Sequence, residues 1–337
     1  MKPSTPLTGI AASLGISTST VSRALRRPEL VNKETRAAIH LAAQKAGYTI
    51  EADRPAARGT LTTVGLVVPD IENPFFAVMV KSVLNELRRT GVSLVVADTN
   101  EEPLGEGEII STMLPRVDGL ILASSRLDQT AIGRLVDSKP LVLINREIDG
   151  IPSILIDQRT GMRQAVEHLA ALGHHRIGYV EGPSASWSNT QRRESFLETM
   201  SDLGYDSTVI GPYAPRFEGG VQAADIAVSR GLTAVVAYND LMAFGIMSRL
   251  ASRDVAVPAA MSVVGSDDVP AASIWAPALT SIDGFTADAG RTAAQALMRC
   301  AQDKEHVPAR RILSQLIVRA STGLHQDERT SSRHASF

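Results

Sequence analysis

Residues 15–25 read GISTSTVSRAL, a stretch with five short hydroxyl side chains, Ser17, Thr18, Ser19, Thr20 and Ser22, leading directly to Arg23. Ser17 is a favoured N-cap residue, and Val21, Ala24 and Leu25 follow it at the i, i+3, i+4 spacing of a helix. One face of that helix is therefore apolar, and the hydroxyls and Arg23 point away from it. Upstream, a helix from about Leu7 to Leu14 carries Ile10, Ala11 and Leu14 on one face and stops at Gly15, a residue free to take the left-handed backbone of a tight turn. Downstream, Asn32 is placed to cap a third helix whose stripe of Ile39, Ala42, Ala43 and Ala46 runs to Gly47. The first 48 residues thus predict an all-α helix-turn-helix headpiece. A helix entering the major groove of DNA has to be slim at its N-terminus, where exposed amides favour a phosphate, and an arginine one turn further in can fork onto guanine O6 and N7. A merely solvated surface helix is the competing reading of these hydroxyls. The preceding helix, the Gly15 turn and the local charge argue against it.

That charge is concentrated. Residues 1 to 60 carry nine Lys and Arg against four Asp and Glu, a net of +5, and the remainder carries 25 against 32, a net of −7. A basic head on an acidic body predicts that the head meets a polyanion. The 337 residues suffice for two or three domains, and 44% hydrophobic with 21% charged residues is the balance of a soluble globular chain. Cys300 is the only cysteine, which leaves no intrachain disulfide, suits a reducing cytoplasm and predicts a buried, inert thiol. The N-terminal stretch has no apolar run suited to a signal sequence, and nowhere is there an uncharged apolar run of about 18 residues. No membrane association is expected.

From about Thr62 the pattern changes. Apolar runs, VGLVVPD, SLVVADT, GLILASS, LVLINR, RIGYVEG, AVVAYND and MSVVGSDD, alternate with helical segments such as AVMVKSVLNELRRTG. Strands that are apolar throughout and alternate with helices predict parallel sheets covered on both faces, an α/β body. Ligands of such sheets sit beyond the carboxyl ends of the strands, so the polar ends Asp70, Asn145-Arg146, Asn239-Asp240 and Asp267-Asp268 are candidates for one site. The stretch from 49 to 61, with Pro55 and Gly59, reads as a linker, and 324–337 reads as a disordered tail.

The chain resembles the lactose and galactose repressor family of bacterial transcription regulators. The resemblance rests on IAASLGISTSTVSRAL and VNKETRAAIHLAAQKAGY in the head. In the body it rests on VGLVVPDIENPFF, on INREIDGIPSILIDQRTGMRQAVEHLAALGHHRIGYVEGP, on YNDLMAFG and on MSVVGSDDVPAASIWAPALTSID. It implies a homodimer whose headpieces read a nearly palindromic operator in double-stranded DNA. It also implies a two-lobed, periplasmic-binding-protein-like (type I) body, residues 62–323, that takes a small effector between the lobes. Lobe 1 would be about 62–158 with 286–322, and lobe 2 about 159–285. By the same resemblance Thr18, Ser19 and Arg23 read bases, and Ser17, Thr20, Ser22 and Asn32 lie near phosphates. Phe75, Asn145, Arg146, Trp187, Arg192, Asn239 and Asp267 would meet the effector, a sugar or sugar derivative. Arg146 and Arg192 could equally receive a phosphate or a carboxylate.

The hinge segment departs from the family pattern. Family members insert a leucine from a short hinge helix into the minor groove, and Ala57 stands where that leucine is expected, with Pro55 inside the segment and Arg58 following. Proline within a helix costs about 3 kcal/mol or more, so a weaker or differently placed DNA bend is expected. Ser266 and Ala123 also depart, at positions that are often aromatic or polar in the family. No enzyme is expected: there is no GxSxG, HExxH or P-loop lysine motif, and no cofactor or metal is implied. His168, His174 and His175 match a helix end and the strand after it, where cations suit the carbonyl dipole. Two further readings stay open. One is activation or corepressor-dependent regulation within the same family. The other, distant, is a sugar-binding protein of transport or chemotaxis, disfavoured by the headpiece.

Overall fold

Val21 and Ala24, separated by three positions in the opening stretch, are both fully buried. The structure, a computed structural model, describes residues 6–26, 31–45, 61–303 and 308–325, in two units that divide after Arg58. In the first unit α1 (Pro6–Leu14), α2 (Thr18–Arg26) and α3 (Lys33–Lys45) surround Ile10, Ala11, Val21, Ala24, Ile39 and Ala43. Gly15 has φ +66°, and the turn closes with the Ile16 amide donating to the Ala11 carbonyl at 3.1 Å. These are the turn and apolar faces that the residue spacing predicts. Ala46, the linker through residue 60 with Pro55, Ala57 and Arg58, and the tail beyond His325 lie outside the described residues, as does the side chain of Leu25.

The second unit contains two six-stranded sheets. In the first, β1 (Thr63–Val68), β2 (Ser93–Asp98), β3 (Gly119–Ala123), β4 (Leu141–Ile144), β5 (Ser153–Asp157) and β11 (Arg310–Leu313) run parallel in the order β11-β5-β4-β3-β1-β2. Four helices belong to this half by chain order: α4 (Pro74–Arg88), α5 (Pro103–Met113), α6 (Gln129–Val136) and α12 (Thr286–Asp303), the last packed on α4, β3, β4 and β5. The second sheet is built from β6 (Ile177–Val180), β7 (Thr208–Ile210), β8 (Ala234–Ala237), β9 (Ser262–Ser266), β10 (Thr280–Asp283) and β12 (Gln315–Ile317), in the order β12-β10-β9-β8-β6-β7. Its helices are α7 (Gln158–Ala171), α8 (Trp187–Asp202), α9 (Phe217–Ser229), α10 (Asp240–Ala251) and the short α11 (Pro270–Ile274). Strands β3, β4, β6, β8 and β9 are buried along their whole length, as strands covered on both faces must be.

Three details differ from the sequence reading. Residues 286–322 do not stay together. After β11 the chain turns at Ser314, whose hydroxyl accepts from the Gly161 amide at 2.9 Å and donates to the Asp157 carbonyl. It then enters the second sheet as β12, antiparallel to β10, where it occupies a strand edge that would otherwise present unpaired backbone groups. Strand β2 reads as apolar throughout, yet Val95 and Val96 are 40% and 39% exposed, because β2 is the end strand of its sheet. Cys300 is half-buried on α12 rather than sealed, and burial still raises its thiol pKa.

Candidate functional site

On the headpiece, the Ser17 hydroxyl accepts from the Thr20 amide at 3.1 Å and so caps α2, as its position predicts. It also exchanges hydrogen bonds with Ser19 Oγ at 2.7 Å and Thr20 Oγ1 at 2.8 Å, so the hydroxyls form one connected group at the helix N-terminus. Ser17, Thr18, Ser19 and Arg23 are exposed, and Thr20 and Ser22 are half-buried. Asn32 is exposed and caps α3, its Oδ1 accepting from the Thr35 amide at 2.8 Å. All seven residues named for DNA therefore lie on α2 or at the two caps. Their outward surface is small, polar and led by one long cation.

In the body, a cleft between the two sheets' lobes collects strand ends. Five of the residues named for an effector line it: Phe75 from α4, Asn145 after β4, Arg192 from α8, Asn239 after β8 and Asp267 after β9. Arg146 and Trp187 do not. Arg146 Nη2 donates to the Leu127 carbonyl at 3.2 Å within its own lobe, and at the start of α8 it is Ser188, next to the half-buried Trp187, that lines the cleft. Sequence reasoning missed Asn73, Phe76, Glu101, Ser124, Pro215 and Tyr238, which complete the wall. A partial signal for them exists. Asn100, Glu101, Ser124, Asn145, Asp267 and Asp268 all have φ between 48° and 108°, at the carboxyl ends of β2, β3, β4 and β9. Non-glycine residues held there cost on the order of 1–3 kcal/mol each and tend to gather at ligand sites.

Every guanidinium at the cleft is engaged. Arg192 is buried and donates through Nε to Gln158 Oε1 at 2.8 Å, through Nη1 to the Tyr238 carbonyl and through Nη2 to Asp267 Oδ1 at 3.1 Å. Its Cζ lies 4.9 Å from the Tyr238 ring centroid. Burial pushes the Asp267 carboxyl up to about 6, and Arg192 only partly reverses that. Arg126 pairs with Glu101 at 2.9 Å within the first lobe. Arg216 reaches across the cleft, 3.3 Å from Asp70 Oδ2 and 2.7 Å from Asn100 Oδ1. Of the remaining polar strand ends, Asp240 is structural: it takes the Ser281 hydroxyl at 2.5 Å and the Val269 amide at 2.8 Å, and burial with the nearby Asp267 charge holds its pKa well above the carboxylate range. Asp268 is paired with Arg319 at 2.6 Å.

The histidines serve packing. Buried His174 bonds Thr233 at 3.0 Å, Ser262 at 2.9 Å and the Gly323 carbonyl at 3.1 Å, and His168 Nε2 meets Thr322 at 3.0 Å, so both fasten the stretch after β12. Among the described residues no group of three or more His, Cys, Asp and Glu is arranged to hold a metal ion, and no helix is long and apolar enough to cross a membrane.

Residues 7–50 match the family described as bacterial regulatory proteins, lacI family, and residues 166–322 match a periplasmic binding protein-like domain. The HTH-type transcriptional regulator GalS of Salmonella typhimurium is 33% identical over 282 residues, 81% of this chain and 83% of GalS. The chain belongs to the LacI family. It is a DNA-binding transcriptional regulator with a helix-turn-helix head and a two-sheet α/β effector-binding body. A second relative, the HTH-type transcriptional repressor CytR of Escherichia coli K12, is 28% identical over 324 residues, covering 93% of this chain and 95% of CytR. Among solved structures, a lac repressor dimer bound to operator and an anti-inducer superposes with a TM-score of 0.77 at 25% identity, over 96% of this chain and all of that one. A complex of the regulator CelR with cellobiose gives 0.69 at 27% identity, over 95% of this chain and all of CelR. The relatives are regulators, which accords with the absence of enzyme motifs in the sequence.

Proposed function

We propose that this LacI-family chain is a repressor acting in the cytoplasm. As a homodimer it binds a nearly palindromic operator through α2, and a sugar-like effector in the interlobe cleft alters that binding. One observation carries the reading: α2 seals Val21 and Ala24 inside and presents Ser17, Thr18, Ser19 and Arg23 together on its other side. The base-reading roles go to Thr18, Ser19 and Arg23, and the phosphate contacts to Ser17, Thr20, Ser22 and Asn32. Phe75, Asn145, Arg192, Asn239 and Asp267 are assigned to the effector. Operator and anti-inducer in the similar lac repressor structure, and cellobiose in the CelR structure, support the reading of an operator-binding head and an effector-binding cleft. The dimer in the similar lac repressor structure supports a second copy of the chain as partner. The effector shifts a balance between two states only by as much as its affinities for them differ.

The test is selection of fragments from a random duplex library by the full chain, followed by titration of the winning site. A near-palindromic consensus is expected. Arg23→Ala should weaken binding to that site by about 1–3 kcal/mol and relax discrimination at one base pair per half-site. Equal binding of parent and variant to selected and scrambled DNA at one salt concentration would remove Arg23 from the readout.

A further inference from the structure

The sequence leaves open whether the effector is a neutral sugar or an anion such as a sugar phosphate. We infer that the cleft takes a neutral, polyhydroxylated molecule and excludes its phosphate ester and its sugar acid. The inference rests on the reading of this cleft as the effector site.

Charge pairing is the first reason. The two cations nearest the cleft wall, Arg192 and Arg126, are matched by the carboxylates of Asp267 and Glu101, which themselves line the cleft. Arg192 also donates to Gln158 and the Tyr238 carbonyl, and Arg126 Nη1 donates to the Ser124 carbonyl at 2.9 Å. At the mouth, Arg216 is held by Asp70 and Asn100. Arg146, the other residue that could receive an anion, is not part of the wall. A phosphate ester, carrying about −1.5 to −2 charges, would meet two carboxylates and no cation without a partner. A cationic amine meets the converse difficulty at Arg126 and Arg192. Charges brought into a buried site without a dedicated counter-charge lose their hydration with nothing to replace it.

Hydrogen-bonding chemistry is the second reason. Asp267 uses Oδ1 on Arg192 and Glu101 uses Oε2 on Arg126, so each retains a second oxygen that accepts from hydroxyls. Asn145 Oδ1 is occupied by the Ile156 amide at 3.0 Å, which leaves its NH2 as a donor, and the hydroxyls of Ser124 and Ser188 act either way. Phe75 and Phe76, edge to face with centroids 5.0 Å apart, supply an apolar wall for the carbon face of a ring.

The experiment is calorimetric titration of the full chain with matched sets: ribose and ribose 5-phosphate; glucose, glucose 6-phosphate, glucuronate and glucosamine; and galactose, galactose 6-phosphate and galacturonate. At least one neutral sugar should bind, with its charged derivatives at least about 100-fold weaker. Glu101→Gln, which leaves Arg126 without its carboxylate, should narrow the gap between sugar and phosphate ester by about tenfold. A purely structural role for Glu101 would change both affinities alike, and an unchanged ratio would overturn the electrostatic argument. A charged derivative that binds as well as its parent, with binding lost in the cavity-filling Ser188→Trp, would refute the inference and leave the cleft as the effector site. Absence of binding by every compound, or binding that survives Ser188→Trp, would remove the cleft reading and this inference with it.

Discussion

Arg192→Met is expected to lower the unfolding free energy of the body by about 3–5 kcal/mol at pH 7.5, in urea denaturation of the full chain. The substitution keeps most of the stem's volume and removes the charge. Asp267, buried with its carboxyl already at about 6, then loses the cation that lowers it, and Gln158 Oε1 and the Tyr238 carbonyl lose their donor. The pH dependence follows from the direction of the shift. A carboxyl whose folded pKa lies above its unfolded value binds more protons folded than unfolded between those two values, so stability falls as pH rises through that window. In the parent the window runs from the ordinary carboxylate value of 3.8 to about 6. Without Arg192 its upper limit moves higher. The deficit of Arg192→Met relative to the parent should therefore shrink as pH is lowered from 7.5 to 5.5. A deficit that is the same at both values would show that the Asp267 charge is not what the arginine compensates.

Gly220→Ala and Gly245→Ala are expected to destabilise the body by about 3 kcal/mol each, at or above the upper end of ordinary overpacking. Helix propensity alone predicts the opposite sign, a gain of about 0.5–1 kcal/mol from replacing a helical glycine by alanine. The contact decides between them. A Cβ on Gly220 of α9 would lie 1.9 Å from the Met242 carbonyl oxygen, and one on Gly245 of α10 would lie 2.0 Å from the Phe217 carbonyl oxygen. Both obstacles are main chain of the facing helix, which no rotamer change moves aside. Gly133 in α6 is the control, since its Cβ would meet nothing within 4 Å. Gly133→Ala should raise the melting temperature, and the other two should lower it. If all three moved the same way, the close crossing of α9 and α10 would be mistaken.

These two predictions mark where sequence reading succeeds and where it stops. Val21 with Ala24, and the polar residues Asn145, Asn239 and Asp267 that terminate apolar runs, are legible because helix period and strand-end position are local properties. The placement of β12 is not local, since Gln315–Ile317 joins the second sheet only because β10 leaves an edge there. Glu101, Ser124 and Tyr238 escape for a related reason: turns of positive φ, or position just past a strand, bring them to the cleft. No side-chain period marks them. Arg146 follows Asn145 in sequence, yet it is directed to Leu127 and away from the wall. Gly220 and Gly245 look like weak points of two helices until the partner backbone is in place.

The central claim is that occupancy of the cleft and occupancy of the operator are coupled in one molecule. Its most direct test is a closed thermodynamic cycle on the full chain at one salt concentration. Operator Kd is measured with and without a saturating sugar, and sugar Kd with and without saturating operator. Linkage requires the two ratios to be equal, and the account predicts a common factor of about 5–150. Operator and sugar that each bind, with both ratios equal to one, would contradict it.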